Sequence, residues 1–192
     1  FADHDLICAC LENAVTAQPA WQATSLSLRK DFCSKAVDAF VAQKDEIAEE
    51  ICWQMGRPIR SAGGEVEGMA DRARTMIRLA NQGLSPLKLD EKPGFQRWIQ
   101  REALGTVFVI APWNYPYLTA INAIVPAILA GNTVILKHSA QTPLCAERLF
   151  EAFDAAKLPQ GVFQYLHLTH QDTEAVIKDD RINHVAFTGS VP

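Results

Sequence analysis

Three sets of polar residues, each at the end of an apolar run, could do chemistry in this sequence: Asn114, Lys137 and Thr188-Gly189-Ser190. An asparagine amide can be aimed at an oxygen that gains negative charge during a reaction, and losing one such donor costs ~10²–10³ in turnover. The same side chain can instead hydrogen-bond its own backbone in a turn, which Asn does well. An ammonium buried at a strand end is expensive without a partner, so Lys137 should meet an anion or a hydroxyl-rich ligand. Thr188-Gly189-Ser190 would offer a phosphate the first N–H groups of a following helix; a plain strand-to-helix turn explains it as well. Trp113 is bulky enough to be a simple core anchor. Ser190 lacks a G-x-S-x-G elbow, and the G-x-G-x-x-G fingerprint is absent. None of His4, His138, His167, His170 and His184 stands at metal-ligand spacing with acidic residues, so they read as surface or loop side chains and no metal site is expected.

The elements that must hold these groups follow from periodicity. Thr106-Val107-Phe108-Val109-Ile110 is a β-branched apolar run and reads as a buried strand. Ala111-Pro112 ends it, because proline has no N–H for the ladder. Further strands are expected at 132–137, 163–168 and 184–187, and helices at 117–130, 144–156 and 173–178. Gly131 caps the first helix, and Pro143 opens the second where its missing N–H costs nothing. This alternation implies right-handed parallel crossovers and an α/β fold with a doubly wound parallel sheet. In such sheets ligands bind at the carboxyl ends of the strands. That is where Asn114, Lys137 and Thr188-Gly189-Ser190 fall.

Upstream the pattern is helical. A short helix over 3–17 should break at Gln18-Pro19-Ala20-Trp21. A long helix over 27–55 carries the stripe Phe32, Ala36, Phe40, Ile47, Ile51, Met55, with Gly56 as cap and Pro58 beyond. Gly63-Gly64 reads as a break before a helix over 65–82. Residues 85–103 alternate apolar and polar between prolines, the pattern of an exposed antiparallel ribbon. Such a ribbon is marginal alone; it would pair with another subunit or pack on its own domain. The expected organisation is 1–84 helical, 85–103 ribbon and 104–192 α/β.

The totals exclude several classes. With 22 acidic against 18 basic residues the net charge is −4, which argues against nucleic acid as a partner. No apolar run reaches the ~18 residues that span a bilayer. Cys8, Cys10, Cys33, Cys52 and Cys145 are odd in number and fit no zinc spacing, as expected of reduced thiols in a cytoplasmic protein. No signal peptide is visible. The chain opens at Phe1 and stops at Val191-Pro192, at what reads as a helix entrance, the pattern of a fragment.

IAPWNYP at 110–116, GNTVILKHSAQTP at 131–143, LPQGVF at 158–163 and VAFTGS at 185–190, in that order, resemble the aldehyde dehydrogenase superfamily. The likeness covers nearly the whole chain, including Gln54-Met55-Gly56-Arg57-Pro58, and is greatest to the branch that oxidises semialdehydes such as succinate semialdehyde. The resemblance implies a Rossmann-like cofactor domain with N-terminal helices and a protruding β-ribbon. It implies oxidation of an aldehyde to a carboxylic acid with NAD or NADP: a cysteine thiolate attacks, hydride passes to nicotinamide, and a glutamate-activated water hydrolyses the thioester.

By the same resemblance Asn114 is the oxyanion-hole asparagine. Ile110, Ala111, Pro112 and Trp113 line the cofactor, and Lys137 meets the adenosine ribose. Thr188, Gly189 and Ser190 form the loop at the nicotinamide and pyrophosphate end. Tyr115, Leu118, Thr119 and Asn122 lie on the helix lining the substrate tunnel. Residues 85–103 are the ribbon through which the family forms homo-oligomers, dimers or tetramers.

Three departures matter. The family's nucleophile and general base lie beyond Pro192, so this chain alone should not turn over aldehydes. Ala140 stands where the family places a ribose-binding glutamate, which removes a carboxylate that would repel a 2′-phosphate; NADP should be tolerated, with Lys137 and Ser139 near that phosphate. Leu168-Thr169-His170-Gln171 replaces a glycine-containing loop and leaves the adenine side open. Thr119 and Asn122, where many relatives are bulky and apolar, point to a small or polar aldehyde. Two rival readings are a non-catalytic nucleotide-binding or oligomerising module, and a relative that releases the thioester to CoA.

Overall fold

The computed structural model describes residues 1–190; the helix entrance expected at Val191-Pro192 lies outside them. Strands β3 (Thr106–Ala111), β4 (Thr133–His138), β5 (Phe163–Tyr165) and β6 (His184–Phe187) form one parallel sheet in the order β5-β4-β3-β6. Thr106 pairs Thr133 at one end of β3 and Ala111 pairs His138 at the other. Helices α5 (Pro116–Leu129), α6 (Leu144–Ala155) and α7 (His170–Ile177) connect successive strands. This is the expected doubly wound α/β sheet.

Successive side chains of a strand point to opposite faces, and both faces of β3 and β4 are covered. Val107, Val109, Ala111, Val134 and Leu136 join the core built with α5 and α6. That core continues into α2 (Leu26–Ala42), α3 (Lys44–Met55) and α4 (Ile59–Leu84). Phe108, Ile110 and Ile135 point the other way, against Leu11 and Ala14 of α1 (His4–Ala23) and Val176 of α7. Two covered faces explain why these strands read as unbroken apolar runs.

Several expectations are corrected. Helix α1 runs through Pro19 to Ala23 rather than breaking at Gln18-Pro19-Ala20-Trp21. Buried Trp21 holds that last turn, its indole N–H donating to the Ile128 carbonyl at 3.0 Å. The helix expected over 27–55 is two helices divided at Gln43 (φ −101°, ψ 19°), a change of direction the phase of the stripe does not record. Gly63-Gly64 lies inside α4 instead of breaking it, held there by the fully buried Ala62 and Val66 on either side. Gly56 does cap α3, with φ +73°.

Helix α7 begins three residues before the expected 173, because the Thr169 hydroxyl caps it by accepting the Asp172 N–H at 3.1 Å. Strand β5 stops at Tyr165 rather than 168. Strand β6 is a half-exposed edge of the sheet, unlike the fully buried β3 and β4. The ribbon reduces to two short strands, β1 (Leu87–Lys88) and β2 (Trp98–Ile99), paired antiparallel. Residues 85–102 are all exposed, so the ribbon is not buried against the rest of the described chain. Among the described residues no helix is long and apolar enough to cross a membrane.

Candidate functional site

Counted from β3 in chain order, the sheet reads 3-2-1-4, so the winding reverses between β3 and β6. Beyond the carboxyl ends of strands at such a reversal a crevice must open. A cleft of about 790 Å³ lies there. Its walls are Ile110, Ala111, Pro112, Trp113 and Asn114 after β3, Lys137 and Ser139 after β4, and Phe187, Thr188, Gly189 and Ser190 after β6. Helix α7 contributes His170, Thr173, Glu174 and Ile177. Asn114 and Lys137, 23 positions apart in sequence, thus share one space. Ala140 is exposed and is not part of the wall.

Strand alternation sorts the two polar residues that end β4. Lys137 follows Ile135 toward α7 and the cleft. It is only 8% exposed, its amine has no hydrogen bond or ion pair among the described residues, and burial lowers its pKa. His138 follows Leu136 to the other face, against α5. It is buried, not a surface or loop residue as expected. Its Nε2 lies 3.1 Å from the Pro116 carbonyl and its Nδ1 3.0 Å from the Thr142 hydroxyl. A carbonyl can only accept, so Nε2 carries the proton and Thr142 donates to Nδ1. Burial pushes the His138 pKa down to about 4, so the ring is neutral.

The corner after β3 is held from behind. The Asn114 Oδ1 accepts the Tyr115 N–H at 3.1 Å, which leaves its Nδ2 free to donate, and the residue lines the cleft. Arg57 Nη2 donates to the Asn114 carbonyl at 2.8 Å, and its guanidinium carbon lies 4.9 Å from the centre of the Tyr115 ring. Glu65, buried in α4, accepts the Tyr117 and Leu118 N–H groups at 3.1 Å each and pairs with Arg57 at 2.7 Å. The sequence reading gave no role to either residue. A signal was present: Glu65 stands on the face of Met69 and Ala73, and a carboxylate on an apolar stripe requires a partner.

The four residues expected along a substrate tunnel, Tyr115, Leu118, Thr119 and Asn122, lie on one side of α5 and none of them lines the cleft. Asn122 is exposed, and its side-chain oxygen accepts from Arg72 at 3.2 Å. At the far side of the cleft the Thr188 N–H donates to the Ile110 carbonyl at 3.0 Å, and Thr188, Gly189 and Ser190 are exposed. His170, Thr173 and Glu174 were missed with the true start of α7; the Thr169…Asp172 capping pattern would have located it.

All five cysteines are free and none lines the cleft. Burial pushes the thiols of Cys10, Cys33 and Cys145 up to about 12, so they stay protonated and unreactive at neutral pH. Among the described residues no three His, Cys, Asp or Glu side chains cluster as metal ligands do.

Residues 2–192 match the model of the aldehyde dehydrogenase family. The chain is 34% identical over 184 residues to an aldehyde dehydrogenase of Paenarthrobacter nicotinovorans, covering 94% of this chain and 40% of the relative. It is 34% identical over 187 residues to the NAD(P)+-dependent succinate semialdehyde dehydrogenase of Escherichia coli (strain K12), with the same coverage. It superposes with a TM-score of 0.89 and 26% identity on a succinic semialdehyde dehydrogenase from Streptococcus pyogenes solved with NADP+ as the cofactor, covering 95% of this chain and 39% of that one. The chain therefore spans about 40% of the length of these relatives. With the match running over nearly every residue, the chain belongs to the aldehyde dehydrogenase family.

Proposed function

We propose that this chain is the cofactor-binding portion of an NAD(P)-dependent aldehyde dehydrogenase that converts a small or polar aldehyde, such as a semialdehyde, to its acid. One observation carries the reading: an amide donor, Asn114, and an unpaired, nearly buried ammonium, Lys137, share the cleft at the sheet's switch point. A dinucleotide fits these residues. Lys137 and Ser139 are suited to the adenosine ribose, Ile110, Ala111, Pro112 and Trp113 to the nucleotide's length, and the Thr188-Gly189-Ser190 backbone to the pyrophosphate. The dinucleotide, when bound, supplies the hydride acceptor. Asn114 Nδ2 donates to the aldehyde oxygen as charge develops on it. None of the five cysteines lines the cleft, and by the family resemblance we assign the nucleophile and the water-activating carboxylate to chain outside these residues. Ala140 favours tolerance of NADP, and both NAD(P)+ and NADP+ appear among the relatives. By resemblance to the family's tunnel helix, Thr119 and Asn122, which stand outside this cleft, favour a small or polar aldehyde.

We divide the chain as 1–84, 85–103 and 104–192. The exposed ribbon, with Phe95 at 63% and Trp98 at 56% exposure, is suited to pairing with a second copy in a homo-oligomer. Free thiols agree with a cytoplasmic enzyme.

The test is to express the intact gene product, measure its mass and follow aldehyde-dependent formation of reduced nicotinamide. A mass of about 50 kDa with turnover, and an Asn114→Ala loss of ~10²–10³ in kcat, is the expected result. A product near 21.2 kDa that binds dinucleotide without turnover would instead make the protein a binding module. Turnover that requires CoA would make it an acylating enzyme.

A further inference from the structure

Five consecutive residues, Asn114 to Leu118, are each held by a side chain from far away in sequence. Arg57 donates to the Asn114 carbonyl at 2.8 Å and lies over the Tyr115 ring. His138 Nε2 donates to the Pro116 carbonyl at 3.1 Å. Glu65 takes the Tyr117 and Leu118 N–H groups. The opening of α5 is thereby fully accounted for: Pro116 has no N–H, residues 117 and 118 donate to a carboxylate, and Thr119 donates to the Tyr115 carbonyl at 3.0 Å. A carboxylate there also suits the positive end of the helix dipole.

Arg57 is the member of this set that reaches Asn114 itself. Its two terminal nitrogens serve different acceptors, Glu65 at 2.7 Å and the Asn114 carbonyl at 2.8 Å. Only a planar fork makes both bonds while its face rests on an aromatic ring; a lysine ammonium does not. The side chains of Arg57 and Glu65 are 15% and 2% exposed, so the pair is little screened and firmly fixed. Fixing the carbonyl of residue 114 and the ring of residue 115 fixes the peptide plane between them. The Asn114 side chain takes its direction from that plane through its bond to the Tyr115 N–H.

We propose that Arg57, held by Glu65, is the positioning residue that aims the Asn114 amide into the cleft. This rests on Asn114 being the oxyanion donor. A bland alternative is that the pair only stabilises the junction of α4 with α5. The two differ in coupling: a residue that acts through Asn114 has nothing left to do once Asn114 is gone.

The experiment is a double-mutant cycle in the intact protein, reading kcat and KM for aldehyde and cofactor. Misplacing a reacting group by about 1 Å costs ~10² in rate, so Arg57→Ala should lower kcat by ~10–100-fold while both KM values stay within about 2-fold. In the Asn114→Ala background the same substitution should lower kcat by less than about 2-fold. Added methylguanidinium should restore turnover to R57A but not to the double variant. Arg57→Lys keeps the charge at Glu65 and covers the case in which R57A does not fold: it should melt near the parent yet still lose kcat. Additive losses, or full activity in R57K, would overturn the inference and leave Arg57 a structural residue. If N114A alone were fully active, the reading of Asn114 itself would fail, which the single variant reports separately.

Discussion

The two ends of the cleft are built by different means. At the Asn114 end, residues 114–118 are clamped by Arg57, Glu65 and His138, all reaching in from other elements. At the other end Thr188, Gly189 and Ser190 follow the half-exposed edge strand β6, tied to β3 by the Thr188 N–H bond to Ile110. A group that must stabilise developing charge gains from being fixed beforehand, because it then needs no reorganisation as the reaction proceeds. A backbone that wraps a phosphate needs only N–H groups free to turn to it. The structure is clamped at Asn114 and open at Thr188-Gly189-Ser190, which suits the roles proposed for the two.

The strongest way to break that contrast is to remove the clamp. Glu65→Ala strips Arg57 of its buried partner and orphans two N–H groups, and breaking a buried pair in this way costs ~3–5 kcal/mol. Ser190→Ala, at an exposed position, should change stability by less than about 0.5 kcal/mol. Midpoints of urea unfolding compare the two directly; equal shifts would mean that the Asn114 corner is no more clamped than the loop.

Acid probes the same clamp from the His138 side. Folded His138 has a pKa of about 4 against an ordinary 6.5. Above 6.5 the ring is neutral folded or unfolded, and its contribution is constant. As pH falls from 6.5 toward 4 the unfolded chain takes up a proton that the folded chain refuses. Stability is therefore lost across that window, by about 3 kcal/mol in total. His138→Gln should flatten this part of the stability–pH curve while lowering its neutral plateau, since Gln cannot serve both Pro116 and Thr142 as the ring does. An unchanged acid slope in that variant would assign the titration elsewhere.

These residues also mark where sequence reading stopped. The sheet was legible because β3 and β4 are covered on both faces and so spell unbroken apolar runs. Asn114, Lys137 and Thr188-Gly189-Ser190 are legible because ligands gather at strand ends, a rule of position alone; Ile110, Ala111, Pro112, Trp113 and Ser139 enter only through the family resemblance. The clamp was not legible. Glu65 lies 49 residues before Asn114 and reads as the start of a helix, because Gly63-Gly64 reads locally as a break. Tertiary packing of Ala62 and Val66, both buried in the core, overrides that preference. His138 was set aside as a surface histidine because one residue's shift along a strand decides whether it meets the cleft or the core, and a sequence alone does not show which face α5 covers.

On the β4 side of the cleft Lys137→Met should separate binding from folding. Its ammonium has no partner among the described residues and is only 8% exposed, so removing the charge should leave stability unchanged or raise it slightly. A hydrogen bond to a charged group is worth ~1.5–3 kcal/mol, so the intact protein should bind dinucleotide ~10–100-fold more weakly. Calorimetric titration with NAD and NADP measures this. A stability loss without an affinity loss would place the lysine in the scaffold and remove it from the cofactor site.

The smallest effect should come from Ala140→Glu. Residue 140 is exposed, one position past Ser139, which does line the cleft. A carboxylate there would accept from ribose hydroxyls and repel a 2′-phosphate, but through water and salt. An exposed charge interaction is worth at most ~1 kcal/mol. The ratio of NADP to NAD affinity should therefore move toward NAD by about 5-fold, and by less at high ionic strength, where screening shortens the reach of the charge. The parent protein should bind NADP at least comparably to NAD. A parent that strongly prefers NAD would mean that other groups in this cleft, His170 and Glu174 among them, already set the choice, and that the missing carboxylate at residue 140 is not what opens the site to the 2′-phosphate.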